Sequence, residues 1–229
     1  AIKNITFFSE KAVARELDSL GANILILPKS ANIQNYYSAD FQDELIPEKY
    51  VDALVNSSLQ GLDNLSPKLS FKTELKGKSV ILTGILPKSE FKSKAMWQGT
   101  LGVFSKPEGC GTVPVIPGVT DAKETLVRKR VIDDLSETSV LVGAGIAADL
   151  KLAEGDTIEI SGKKFRIEAL LPQTGTVDDA RVFAHLKVVQ QISGKKDSLN
   201  VIEIVGCCAA ISGGLIQKIN TLLPDARVV

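Results

Sequence analysis

Hydrophobic and polar positions are ordered most clearly between Ser139 and Ile192. Val140 to Val142 is an apolar run suited to a short buried strand. Gly143 and Gly145 then open a short helix with Ile146, Ala147 and Leu150 on its apolar side. Thr157 to Leu171 alternates across Ser161-Gly162. Ile158, Ile160, Phe165, Ile167 and Ala169 point one way, and Glu159, Lys164, Arg166 and Glu168 the other. That pattern predicts a half-buried hairpin with a Ser-Gly turn. Asp178-Asp179 precedes a second unit, Val182-Phe183, which leads into a helix starting near His185.

The flanks read as follows. Ile2 to Leu20 has helical spacing, with Ile5, Phe8, Ala12, Leu17 and Leu20 near one face, and Gly21 is a fitting stop. Ile24 to Leu27 predicts a strand that Pro28 either ends or marks as an edge. Lys29 to Glu44 is a polar loop with room for a turn of helix. Pro47 suits the first turn of a helix to about Leu59, buried through Tyr50, Val51, Leu54 and Val55. Leu65 to Leu75, beginning in a turn at Ser66-Pro67, and Ser79 to Leu86 predict two strands joined at Lys76-Gly77-Lys78. Glycine and proline make 88–117 loop-rich, and 123–135 is a helix or an irregular return. Leu199 to Val205 predicts a strand with Asn200 and Glu203 outward. Ala209 to Leu223 predicts a helix weakened by Gly213-Gly214 and stopped by Pro224, followed by a last strand from Ala226.

The order "VLVG-x-G-x-A-x-x-L" (140–150), "GD-x-I-x-I-x-G-x-x-F-x-I" (155–167) and "DD-x-x-VF" (178–183) resembles the extracytoplasmic core domain of the MacB/FtsX/LolC superfamily of ABC-transporter permeases. Leu20-Gly-Ala-Asn-Ile-Leu-Ile-Leu-Pro28 resembles the run with which such domains leave their first membrane helix. The resemblance is weaker over 72–130. It implies an α+β fold in which residues 1–71 and 137–229 form a membrane-proximal, porter-like subdomain, with 72–136 as a smaller inserted β-rich, sabre-like one. It also implies a non-catalytic extracytoplasmic segment between membrane helices, with both termini on one side. The implied partners are a separate ABC ATPase subunit or domain, a second permease copy or paralogue, and an extracytoplasmic adaptor or substrate. In this reading ATP is hydrolysed elsewhere and the domain transmits motion. The helices at 2–20 and 209–223 and the last strand are the mechanical connections.

Composition narrows the picture. With 229 residues the chain can bury a real core as one large domain or two small ones. Lys and Arg total 27, as do Asp and Glu, so the zero formal charge gives no electrostatic case for nucleic acid. No run approaches the roughly 18 apolar residues of a spanning helix.

Several residues are candidates for chemistry. Gly143-Ala-Gly145-Ile-Ala-Ala148 fits G-x-G-x-x-A between a strand and a helix, the setting in which a pyrophosphate meets a helix N-terminus. A short helix followed by a hairpin instead favours glycines used for tight packing. The rival function carried by this turn is a small nucleotide-binding oxidoreductase with a parallel sheet. His185 lacks an evident nucleophile to serve, and Asp178-Asp179 reads as a solvated turn. Cys207 and Cys208 are neighbours; if the domain is extracytoplasmic, Cys110 is positioned in a glycine-rich loop to pair with one of them. Buried thiols and a cysteine-based redox or metal domain are the alternatives, and no cofactor or metal site is expected. Tyr36, Tyr37 and Phe41 form an aromatic group in a polar loop. They are a candidate partner surface, against the alternative that the rings are buried to pin the loop. Met96-Trp97 reads as core or subdomain-interface packing.

Overall fold

A computed structural model describes residues 21–39, 44–98 and 132–229. β1 (Ile24–Pro28) is followed by α1 (Ile33–Ser38), the two-residue strand β2 (Ile46–Pro47) and α2 (Lys49–Val55). Next come β3 (Leu62–Leu75), β4 (Lys78–Ile85), α3 (Pro87–Ser93) and a 3-10 turn, Ala95–Gln98. Further along are β5 (Ser139–Val142), α4 (Ala144–Leu150), β6 (Thr157–Ile160), β7 (Lys163–Leu170) and a second 3-10 turn, Val177–Ala180. β8 (Arg181–His185), α5 (Leu186–Ser193), β9 (Ser198–Leu199), β10 (Val201–Gly206), α6 (Cys208–Ser212), α7 (Leu215–Leu222) and β11 (Ala226–Val228) complete the chain.

Nine of these strands form one mixed sheet in the order β11-β1-β10-β3-β4-β8-β5-β7-β6. Its spine is β3, 14 residues long, or roughly 45 Å of extended chain. Up to Lys68 it pairs with β10; from Leu69 on it pairs with β4. Pro67 lies inside this strand rather than in a turn. Lys68 O accepts from Asn200 N–H at 2.8 Å, so the backbone groups of Lys68 face β10 and those of Pro67 face away from it. On that side β3 has no strand neighbour until Leu69, so the missing N–H costs no ladder bond. The second half of the sheet curls. Thr73 Oγ1 lies 3.0 Å from Ser161 Oγ, which brings β3 and β6 together. Leu75, Val80, Leu82, Val142, Ile158, Ile160, Phe165, Ile167 and Val182 share the resulting core.

The hairpin alternation expected between Thr157 and Leu171 is present through Ile167: Ile158, Ile160, Phe165 and Ile167 share one buried cluster, whereas Ala169, past a register shift between β5 and β7, is buried in another with Leu141 and Phe183. At the turn Ser161 and Gly162 both take positive φ (50° and 78°), as a two-residue hairpin requires. One sheet face is apolar and covered by α2, α5 and α7 through Leu54, Val189, Leu215 and Ile219. Gly84 lets α5 close onto β4, since a Cβ there would lie 2.8 Å from Val189 Cβ.

Other expectations need correction. Val55 is 65% exposed rather than part of a buried stripe, because α2 ends with it. The helix expected over 209–223 is two, α6 and α7, broken where Gly214 adopts φ 88°. Of the stretch 72–136 expected as an insert, the described residues supply the end of β3, β4, α3 and the first 3-10 turn. Residues 99–131, like the helix expected over 2–20, lie outside the described residues. No helix among the described residues is long and apolar enough to cross a membrane.

Candidate functional site

The second sheet face carries charge where apolar residues would be usual. Lys68 on β3 and Glu203 on β10 project from it side by side, and both are buried. Alternation alone puts Glu203 on the face opposite Ile202 and Ile204; burial follows because α1 and α3 cover that face. α3 contributes Glu90 and, just past its end, Lys94. The 3-10 turn before β8 contributes Asp178.

The geometry is that of one network. Lys68 Nζ lies 2.5 Å from Glu203 Oε1 and 2.7 Å from Glu90 Oε1. Lys94 Nζ lies 3.1 Å from Asp178 Oδ2, 3.6 Å from Glu90 Oε1 and 4.0 Å from Glu203 Oε2. Trp97 Nε1 donates to Asp178 Oδ2 at 3.0 Å, while its ring packs edge-on against Phe183 at 4.8 Å. Tyr36 OH donates to Glu203 Oε1 at 2.5 Å. Arg181 donates to the Tyr36 carbonyl at 3.0 Å, with its guanidinium over the Tyr36 ring. Three cations, Lys68, Lys94 and Arg181, thus share the site with three carboxylates, Glu90, Asp178 and Glu203, all buried.

Their titration follows from that arrangement. Burial pushes Asp178 up, but Lys94, Lys68 and Arg181 override it and hold Asp178 below the usual carboxylate range. The same contest, won by Lys68 and Lys94 with hydrogen bonds from Lys68 and Tyr36, holds Glu203 down. At Glu90 burial outweighs the two lysines, and its carboxyl is raised. Burial opposes the charge of Lys94, yet Asp178, Glu203 and Glu90 together raise it above the usual lysine value. Tyr36 is raised by burial and then by Glu203.

A carboxyl raised in the folded state contributes stability below its unfolded pKa, about 4.3 for Glu, and loses it as pH rises through the folded value. Glu90→Gln removes this dependence. The stability of Glu90→Gln relative to wild type should therefore improve between pH 4 and pH 8, by at most about 1.4 kcal/mol per pH unit. Asp178 and Glu203 have the opposite sign: their contribution holds above about pH 4 and is lost as pH falls through their lowered values. Urea midpoints at pH 4, 6 and 8 check the first statement. Tyr36→Phe should cost about 1.5–3 kcal/mol, the range for a hydrogen bond to a charged group, in the same urea assay at pH 7.

The residues singled out from sequence divide. Tyr36 is 2% exposed and belongs to the network, so it holds α1 down rather than presenting a surface. Tyr37 is half-buried and packs edge-on to Tyr36 at 5.0 Å; Phe41 lies outside the described residues. Cys207 is half-buried at the start of α6, and its N–H donates to Gly61 O at 2.9 Å. Cys110 and the side chain of Cys208 lie outside the described residues. Asp178-Asp179 is not a solvated turn: Asp178 is buried, and Asp179 accepts from Thr174 and Gly175 N–H at 2.9 and 2.8 Å. His185 caps α5 by position without a side-chain capping bond. Asn200 and Glu203, expected outward, are buried.

Gly143 and Gly145 serve packing. A Cβ on Gly143 would overlap the Asp178 carbonyl oxygen and lie 2.7 Å from that of Asp179; one on Gly145 would lie 2.9 Å from Asp179 O. The space a pyrophosphate would need holds backbone carbonyl oxygens, which repel it. α4 has only seven residues, and β5 runs antiparallel to β8 while parallel to β7. The dinucleotide reading fails on this geometry.

No family model matches the sequence, and no curated protein matches it. Among solved structures, the periplasmic region of MacB from Actinobacillus actinomycetemcomitans superposes with a TM-score of 0.54 at 13% identity, covering 93% of this chain and 91% of that one. The protein has the fold of a MacB-like periplasmic domain. The extracellular domain of the noncanonic ABC-type transporter YknZ from Gram-positive bacteria also matches, with a TM-score of 0.53 at 12% identity and coverage of 90% and 100%. The MacB-like fold is thus the mixed α+β architecture expected from the motif order, and the buried network lies in its charged sheet face.

Proposed function

We propose that the chain is the extracytoplasmic domain of a MacB- or FtsX-like ABC-transporter permease. It performs no chemistry of its own. A partner ATPase hydrolyses ATP in the cytoplasm, and this domain passes the resulting motion to a second permease copy or paralogue, or to an extracytoplasmic adaptor or substrate. In that reading 1–71 and 137–229 form the membrane-proximal body. The insert over 72–136 is tied in by β4, which is hydrogen-bonded between β3 and β8.

The observation that carries the reading is where the chain enters and leaves the sheet. β1 and β11 are antiparallel neighbours. Leu25 N–H donates to Val229 O at 2.8 Å, and Val229 N–H to Leu25 O at 3.0 Å. The start of β1 and the end of β11 therefore lie side by side at one end of the sheet. A domain held between two adjacent membrane helices needs that geometry. The Lys76-Gly77 turn is at the far end of β3, about ten residues or ~33 Å of extended strand beyond Ser66, which lies level with Leu25.

The full-length gene product, tagged and solubilised in detergent, should co-purify with an ABC ATPase and show ATP hydrolysis. A product that purifies alone, with no ATP turnover in the preparation, contradicts the reading.

A further inference from the structure

Among the described residues, the entry into β1 lies against the end of α3, next to the charged network. Gly21 has φ 78°, and a Cβ on it would overlap the Ser93 carbonyl oxygen and lie 3.1 Å from the carbonyl carbon. Ser93 ends α3, and the next residue is Lys94. Asn23, two residues on, is fixed from the other side. Asn23 Nδ2 donates to Gly206 O at 2.8 Å, Gly206 N–H donates to Asn23 Oδ1 at 2.7 Å, and Asn23 N–H donates to Ile204 O at 3.0 Å. The chain at 21–23 is thus clamped between the end of β10 and the end of α3.

α3 is a rigid part only by virtue of what it is bound to. A seven-residue helix has no stability of its own. It is bolted to β3 by Asn64 Nδ2 donating to Ser89 O at 2.8 Å and by Ser66 Oγ at 3.1 Å from Ser93 Oγ. Glu90, 2.7 Å from Lys68 Nζ, bolts it to β3 once more, and Lys94 bolts it to β10 and to the turn before β8. Asp178 then leads by backbone into β8 and its neighbour β5, where Gly143 N–H donates to Arg181 O at 2.9 Å. Moving any one of these parts alone would leave a buried charge without its partner, so they move together or not at all.

We propose that the Gly21–Ser93 contact is a mechanical joint. Displacement of the chain entering β1 is passed through it to α3, and the Lys68–Glu90–Lys94–Asp178–Glu203 network carries it as one rigid body to the turn at 177–180 and β8. The source of that displacement, a membrane helix, rests on the function proposed above; the joint belongs to this domain and is tested in it.

The test is amide hydrogen exchange on the 229-residue chain, wild type against Gly21→Ala, Lys94→Met and the milder Glu90→Gln. Gly21→Ala should raise exchange about tenfold not only at Asn23 but also at Lys94, Asp179 and Gly143, the last two lying beyond the network. Glu90→Gln, which keeps the shape of the side chain, should raise exchange at Asn23 in return, and so should Lys94→Met where it folds. Amides of the β6–β7 hairpin should keep their wild-type rates in Gly21→Ala and Glu90→Gln, and in Lys94→Met should rise by no more than its loss of global stability accounts for. A Gly21→Ala effect confined to residues 21–25, or one equal at all amides including the hairpin, would overturn the joint. Failure of the ATPase co-purification would leave these rates untouched, so the two proposals fail separately.

Discussion

Lys94→Met lowers the unfolding free energy by about 3–5 kcal/mol, the range for removing one partner of a buried ion pair. The reason is what remains. Asp178, Glu90 and Glu203 keep their burial and lose a common cation, and Lys68 and Arg181 cannot neutralise all three at contact distance. The loss is read as a lower urea midpoint at unchanged slope. Adding Glu90→Gln removes one of the stranded charges, so the double variant should fall short of the sum of the singles. Additivity would show that Glu90 and Lys94 do not share a network.

Gly143→Ala costs about 3 kcal/mol, the upper end of ordinary overpacking, because the atoms it meets are backbone. The added methyl has to displace the Asp178 and Asp179 carbonyls, and with them the carboxylate that Lys94 and Trp97 hold. Exposed Gly162→Ala adds a methyl with no neighbour within 4 Å but keeps the strain of a positive φ, so it should cost only about 1 kcal/mol. Thermal or urea unfolding separates the two. A Gly143→Ala variant as stable as wild type would remove the packing argument for this glycine.

Much of this architecture is legible in the sequence wherever one face is wet and the other dry. The β6–β7 hairpin is the clearest case: period-two alternation and Ser161-Gly162 specify strands, register and turn together. The 143–150 turn is legible as a strand-to-helix junction, but its glycines fit two chemistries. Only the carbonyls of Asp178 and Asp179 above them decide between those. The buried network is hidden for a physical reason. Lysine, glutamate and aspartate are ordinarily solvated, so Glu203 on an otherwise apolar strand reads as its wet side. Nothing local announces that α1 and α3 will cover it. α3 is hidden too, since Pro87, Ser89 and Ser93 resemble loop residues; Pro87 in fact stands at the helix start. The one available signal is Glu90 and Lys94 four apart with Phe91 and Trp97 between and beyond them, a charged pair flanked by large apolar residues.

Buried pairs of this kind are not the cheapest way to stabilise a sheet face, because apolar side chains of equal volume do as well or better. Their distinguishing property is geometric: each charge accepts only one arrangement of its partners. A domain that passes motion from one end of a sheet to the other gains from that stiffness, and the network joins elements from both halves of the sheet.

The central claim is that this fold stands outside the cytoplasm between two membrane spans. Its most direct test places a phosphatase active only outside the cytoplasm into the exposed Lys76-Gly77 turn of the full-length gene product, where a Cβ on Gly77 would meet nothing within 4 Å. The account predicts an active reporter that stays with the membrane fraction through a carbonate wash. An inactive reporter, or activity that fractionates as a soluble protein, would contradict it.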